Sequence, residues 1–441
     1  MCQKSDREAP SLGGRSPIDS WAYATRSGGS SDRGHSKPDF RPKLSGGAWM
    51  RNALFLFGLL LCAAALSASD PVTVASLEQQ ISALRSKSDA DAARSIDRLK
   101  LTERLTTERL HVLQAALPGE KSRMALLAIA DASAFLDLPR SDYGMLVAPD
   151  EPAQGRILTS AAEFVSQTMP RMPNFLATRD ITRWESTIPA RQVTIPARQV
   201  FEGVAPPVAP DFPPFRLLNR SQSPVTYRDS KEVVGTSDKA KAGKARGLTS
   251  WGEFGPLLQI AMLDILQGKV GWDYWEKTSD GLLAVFQYQV SKSPHYVVRY
   301  CCVPSKGKSG DIELTPPYHG EIAIDPKTGH ILRLVIQTKL RGNLIQRTDV
   351  AVEYGPVNIG GSTYTCPLRS ISLSTAANMN FNVGVGSADL DSATLGNSSF
   401  MLLPGQATAI NDVAFVNYHM FRAEMRILPE GAGTPPQTPH P

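Results

Sequence analysis

Chemistry-bearing residues are scarce in this sequence. Seven histidines and five cysteines are spread over 441 residues. There is no HExxH and no CxxC pair, which excludes the usual zinc sites. No G-x-x-x-x-G-K-[ST] loop occurs, nor a GxGxxG between strand and helix, so nucleotide phosphates lack their backbone cradle. No G-x-S-x-G elbow presents a hydrolase serine. A charge excess is missing too, once its position is considered. Residues 1–51 hold nine of the 47 Lys and Arg but only five of the 42 Asp and Glu, so the formal +5 belongs mostly to that head. The remainder is nearly neutral, which removes the electrostatic case for a nucleic-acid partner.

One polar pair stands at a chemically suggestive spacing. His319 and Glu321 lie two residues apart in YHGEIAI (318–324), so on a strand they share a face and a proton or metal between them is conceivable. Their neighbours Tyr318, Ile322 and Ile324 alternate against them, and the plainer expectation is a solvated sheet face. No catalytic residue, metal site or cofactor is assigned.

Long apolar runs are limited to one. From Met50 the chain reads MRNALFLFGLLLCAAALSASD, with Arg51 as a positive start, 14 apolar residues from Ala53 to Leu66, and then small residues. That order predicts a secretory signal over 50–69, cleaved after Ser67 or Ser69. The run is short for the ~20 residues that span a bilayer, and an uncleaved anchor is the alternative. Leucines precede Cys62, so no lipobox is present. Residues 1–49 are rich in Ser, Gly, Arg and Pro without apolar periodicity, which predicts either a start codon assigned too far upstream or a disordered tail. Export implies a periplasmic or secreted location and an oxidising compartment, where Cys366 is expected to pair with one of Cys301 and Cys302. Neighbours on a strand face opposite ways, and Cys302 is preferred. Three buried thiols are the alternative.

What is present is a change of period near residue 173. Between 70 and 170, Leu77, Ile81 and Leu84, then Ile96 and Leu99, Leu101 and Leu105, and Leu110 and Leu113 recur at helical spacing. Pro118-Gly119 breaks this stretch before a second helix, KSRMALLAIADASAFL, and a third covers 154–168 with Ile157, Phe164 and Val165 as its stripe. From 173 to 428 the period is two. Asn174 to Thr187 reads as a strand. The doublet TIPARQV (187–193, 194–200) reads as a loop insertion, APPVAPDFPPF (205–215) as a stiff spacer, and residues 231–247 as a flexible basic loop. Ser250 and Glu253 form a capping box for a helix over 250–267 that stops at Gly268. Asp280-Gly281 marks a hairpin. Strands are expected around Leu282–Val290, Tyr296–Cys302, 318–324, 330–337 (with Leu332, Leu334 and Ile336 on one face), 350–354 and 362–374. A polar loop over 375–412 precedes a last strand at Phe421–Ile427, and the tail from Pro429 is expected to be disordered.

The fold class is therefore α+β: an N-terminal helical region, then a curved antiparallel sheet packed on a helix. Phe286, Tyr288, Tyr296 and Tyr300 stand in the aromatic cluster of that sheet. They line an apolar ligand cavity if the concave face is open, and form core if helix and N-terminal region cover both faces.

A signal segment, an antiparallel sheet and a helix across it resemble the half-barrel lipoprotein-carrier (LolA/LolB-like) fold. The stretches DASAFL (131–136), GEFGPLL (252–258), YHGEIAIDPKTGHILRL (318–334) and VEYGPVNIGG (352–361) also resemble exported acidobacterial proteins of unassigned function. The half-barrel likeness covers residues 173–428 and leaves the helical region as an addition. It implies a non-catalytic envelope protein that binds a lipid or a lipidated chain. The competing expectation is a structural or scaffolding protein that self-associates through its N-terminal helices.

Overall fold

The computed structural model describes residues 70–188, 191–196, 213–233, 247–248, 252–305, 308–340, 344–378, 398–403 and 405–420. The head, the signal segment, Ser250, the strand expected at Phe421–Ile427 and the tail lie outside the described residues. All that is described belongs to one compact unit, Leu66–Pro441.

The chain opens with β1 (Asp70–Val72), α1 (Val74–Leu84), α2 (Asp89–Ile96), β2 (Leu99–Leu101), α3 (Thr107–Ala115) and α4 (Glu120–Ser133). Side-chain oxygens of Thr73, Ser88 and Thr106 accept from free backbone N–H groups at the starts of α1, α2 and α3. The leucine spacing is honoured, since Leu77, Ile81, Ile96, Leu110 and Leu126 are almost fully buried in a small core of their own. Leu99 and Leu101 form a strand instead of a helical turn, because β2 pairs in parallel with β1 and closes this layer. Then α5 (Glu151–Glu163), capped by Asp150, continues as a π-helical turn, Phe164–Thr168.

Ten strands follow in one antiparallel sheet: β3 (Phe175–Ile188), β5 (Arg216–Arg228), β6 (Lys231–Val233), β8 (Lys269–Thr278), β9 (Gly281–Val290), β12 (Tyr318–Ile324), β13 (Ile331–Lys339), β14 (Ile345–Ile359), β15 (Ser362–Asn378) and β17 (Gly405–Met420). Their spatial order is β6-β5-β3-β17-β15-β14-β13-β12-β9-β8, and the sheet is not closed. Smaller pairings join β7 (Gly247–Leu248), β10 (Val298–Ser305) and β11 (Lys308–Leu314), and separately β4 (Arg191–Pro196) with β16 (Ser398–Leu403). Part of the TIPARQV doublet is thus a paired strand, not a loop. The α+β class holds. Among the described residues no helix is long and apolar enough to cross a membrane.

Both faces of the sheet are covered. The inner face carries α6 (Pro256–Gln267), α5 and the π-helical turn, whose Leu258, Ile265, Ile157 and Phe164 join Phe286, Ile322, Leu334 and Val352 in the main core. On the outer face, Ala128 and Met124 of α4 pack on Trp184, Ile371, Leu373 and Ile410. Leu138 and Tyr143 cover Tyr274, Leu283, Val285 and Ala323 on that face. The loop from Tyr143 to Asp150 takes the chain round the edge strand β8 from one face to the other, with Tyr143 bridged to Glu276. An edge is thereby covered.

Several expectations are corrected. The 250–267 helix begins at Pro256, with Gly255 as its N-cap and no side-chain cap. Gly252 (φ +84°) and Gly255 (φ +146°) hold a turn that non-glycine residues resist, and Pro256 suits the first helical position because it lacks an N–H. Glu253 is no capping residue; it is buried. Leu332 faces outward, away from Leu334 and Ile336. The register jumps there from Ala323–Arg333 to Ile324–Ile331, and that bulge turns one side chain over. Residues 216–228, for which no element was expected, form a long strand, and residues 405–412 of the expected 375–412 loop belong to another, β17.

Candidate functional site

The four aromatics singled out from the sequence come together on the inner face, but as core. Phe286, Tyr288, Tyr296 and Tyr300 are each at most 6% exposed, and all belong to one cluster beneath α6. Buried phenols need partners. The Tyr288 hydroxyl donates to the Val335 carbonyl at 2.6 Å. To do so it passes over Gly320, where a Cβ would stand 1.8 Å from that same carbonyl oxygen and 3.0 Å from the Tyr288 hydroxyl. Tyr318, on the strand beside Tyr288, donates to Asp264 of α6 at 2.7 Å, which fixes the helix on the sheet. Burial first, and the Asp264 charge after it, hold the Tyr318 phenol well above its usual range.

A cavity of about 40 Å³ lies between Leu248, Pro256, Ile260, Tyr296, Val298 and Val350. At about 10–15 Å³ for each water, that space holds a few waters and is too small for an acyl chain.

The cysteine expectation is corrected. Cys366 is buried in the main core as a free thiol, so the Cys302–Cys366 bond is not formed. Burial pushes that thiol up to about 12, which makes it a poor nucleophile. The Cys302 side chain lies outside the described residues. Near Cys366 sits an unforeseen polar group. Glu253 is 1% exposed, its Oε2 lies 3.8 Å from Arg179, and that oxygen has no hydrogen-bond partner. Arg179 also pairs with Glu232 at 2.7 Å and stacks over Phe415. No sequence pattern flags this contact, since its members come from three distant segments.

The outer face holds the strongest electrostatics. Arg104, from the helical layer, donates to Glu276 at 3.0 Å, and Arg333 donates to the other oxygen of Glu276 at 2.5 Å. Arg333 and the Tyr274 hydroxyl both reach Glu321 at 3.3 Å. Burial works against a charged Glu276, but the two guanidiniums outweigh it and hold the carboxyl below its usual range. A second group joins Asp131 of α4 to Arg369, which donates to Asp412 at 2.7 Å, while the Trp184 indole donates to Asp131 at 3.2 Å. Burial, and then the neighbouring Asp412 charge, raise Asp131 well above the ordinary carboxylate range. Both groups tie the helical layer to the sheet.

His319 and Glu321 share the outer face, but Glu321 is taken up by arginines and His319 is exposed. Among the described residues no cluster of three or more His, Cys, Asp or Glu is arranged to hold a metal ion.

Glu276, Glu321, Asp131 and Asp412 on the outer face are thus taken up by arginines, and a separate feature is apolar and external. Met145, Leu146 and Val147 are 99%, 62% and 89% exposed at the turn around β8. They are held firmly from below. Tyr143 stacks on Tyr274 at 4.5 Å, the Gly144 N–H donates to the Trp275 carbonyl at 2.7 Å, and the Trp275 indole donates to the Val147 carbonyl at 3.0 Å. A Cβ on Gly144 would come within 2.7 Å of Trp275 and 2.8 Å of Leu282. The only sequence signal is an apolar triplet inside a non-periodic stretch between Pro139 and Pro149. Compared with protein-family models, curated proteins and solved structures, the chain matches none of them.

Proposed function

We propose that this is an exported, non-catalytic envelope protein that acts through its surface and associates with copies of itself by way of its N-terminal region. The observation that carries this reading is the apolar tip Met145–Val147, nearly bare to solvent and held by an aromatic stack and two hydrogen bonds. Exposed apolar residues in a cluster and on a rigid support are the usual mark of a contact surface. Export rests on the 50–69 segment, and N-terminal sequencing of the recovered protein checks it: a first residue between Ser67 and Asp70 is expected, and an intact Met1 contradicts cleavage. Self-association is checked by light scattering across a concentration series, where a mass that rises with concentration is expected and a constant monomer mass rejects the reading.

An apolar ligand inside a half-barrel is the second reading. It keeps one support, the apolar lining of the space beside Tyr296. A lipid would have to displace α6, against the Tyr318–Asp264 bond and the buried Leu258 and Ile265. Native mass spectrometry showing a bound lipid on the purified chain would restore it.

A further inference from the structure

The tip brings no charge to a partner. The seven residues from Tyr143 to Pro149 are all uncharged, and Asp142 before them is paired with Arg109. Its supports are aromatic. Tyr143 stacks beneath it, the Trp275 indole holds the Val147 carbonyl, and Trp272 meets Trp275 edge-on at 4.9 Å. Both indoles are half-buried and pack against the main core. Tryptophan and tyrosine behind an aliphatic end form the arrangement that suits a membrane–water interface, where such rings sit at headgroup level.

The route of the chain points the same way. It enters the fold at Asp70, four residues past its one long apolar run, Ala53–Leu66. A bilayer that holds that run during export therefore lies within about 14 Å of Asp70 along the chain. Just past β1, the Val74 N–H donates to Glu103 at 3.0 Å; the next residue after Glu103, Arg104, binds Glu276, which is bridged to Tyr143. Chain entry and tip base are thus joined through two side-chain contacts. The tip is also narrow. A stable protein partner needs about 800 Å² on each side, far more than three side chains offer. A fluid bilayer accepts a narrow apolar end without a matching shape.

We infer that Met145, Leu146 and Val147 insert into the apolar boundary of a lipid bilayer, with Tyr143, Trp272 and Trp275 at headgroup level. This rests on the reading of the tip as the protein's contact surface and names its partner. One small apolar anchor binds membranes only marginally, so the insertion is shallow and reversible. Copies gathered on one bilayer are concentrated, and weak contacts between their N-terminal regions then suffice for association.

Phosphatidylcholine vesicles with brominated acyl chains test this, at a protein concentration where light scattering gives the monomer mass. Val147 is 89% exposed, and Leu217, 45% exposed, lies on β5 at the far end of the sheet from β8. The added indole of Val147→Trp should be quenched and that of Leu217→Trp should not. Met145→Asp should lower partition of the processed chain by about tenfold or more. Salt should leave the binding unchanged, since the inserted residues are neutral. An unquenched Val147→Trp, equal quenching of Leu217→Trp, undiminished partition of Met145→Asp, or binding that salt abolishes each overturns lipid docking. Those results leave self-association to its own scattering test. A monomer mass at every concentration, both free and on vesicles, overturns self-association and leaves lipid docking standing.

Discussion

Two residues make the sharpest tests of how the sheet is built. Asp349 on β14 is fully buried, paired with Arg347, and accepts from the Thr338 N–H at 3.3 Å. Burial dominates over those partners and raises its carboxyl from 3.8 to about 6. The folded state therefore binds this proton more tightly than the unfolded chain. The stabilisation is fully present below pH 3.8, and it is lost as pH rises through about 6. The difference amounts to about 3 kcal/mol at 1.36 kcal/mol per pKa unit. Asp349→Asn should flatten the decline in stability between pH 4 and 7, as read from urea midpoints. An unchanged slope in that variant would place the proton elsewhere. Gly320 tests sterics instead of charge. Its substitution by Ala sets a methyl 1.8 Å from the Val335 carbonyl, and overpacking of this kind costs about 3 kcal/mol. The expected result is a lower melting temperature. A neutral Gly320→Ala would mean that β12 shifts freely against β13.

At the scale of elements, the buried charges decide how the helical layer is held. Glu276 stands between Arg104 and Arg333 with all three buried. Glu276→Leu leaves two guanidiniums facing each other with only Glu321 nearby, and breaking such a pair costs about 3–5 kcal/mol. Denaturant unfolding of that variant should show the full loss; a change below about 1 kcal/mol would mean the group adds nothing to docking. The sequence made some elements legible and not others, for physical reasons. Strands with large alternating residues, such as Ala284, Phe286 and Tyr288 against Leu283 and Val285, announce both faces at once. β17 does not, because Ala409, Asn411 and Val413 stand opposite Ser374, Ser372 and Ser370, and small residues leave a weak pattern. β5 does not either, since most of its residues are exposed. Ser250 and Glu253 have the spacing of a cap, but the backbone turn at Gly252 and Gly255 overrides it. The four aromatics were readable as a group. Whether they lined a cavity or a core depended on α6 and the outer layer, which no local pattern encodes.

At the scale of the whole molecule, the decisive property is that one sheet serves two cores. The helical layer has its own apolar cluster around Leu77, Ile96 and Leu126, which alone would suggest a layer that melts by itself. Against that stand contacts that belong to both parts: Asp131 with Arg369 and Trp184, Arg104 with Glu276, and Thr107 donating to Glu353 at 2.7 Å. Releasing the layer would strand buried charges on the sheet and bare Trp184, Ile371 and Leu373 to water. Those costs fall on the same step, so layer and sheet should unfold together. Chains of this length often populate intermediates, which makes coincidence an informative outcome. In urea, far-UV circular dichroism follows the helices, while tryptophan fluorescence follows Trp184, Trp272 and Trp275 on the sheet. The two curves should superimpose at a concentration where the chain is monomeric. Circular dichroism that falls first would mean that the helical layer detaches.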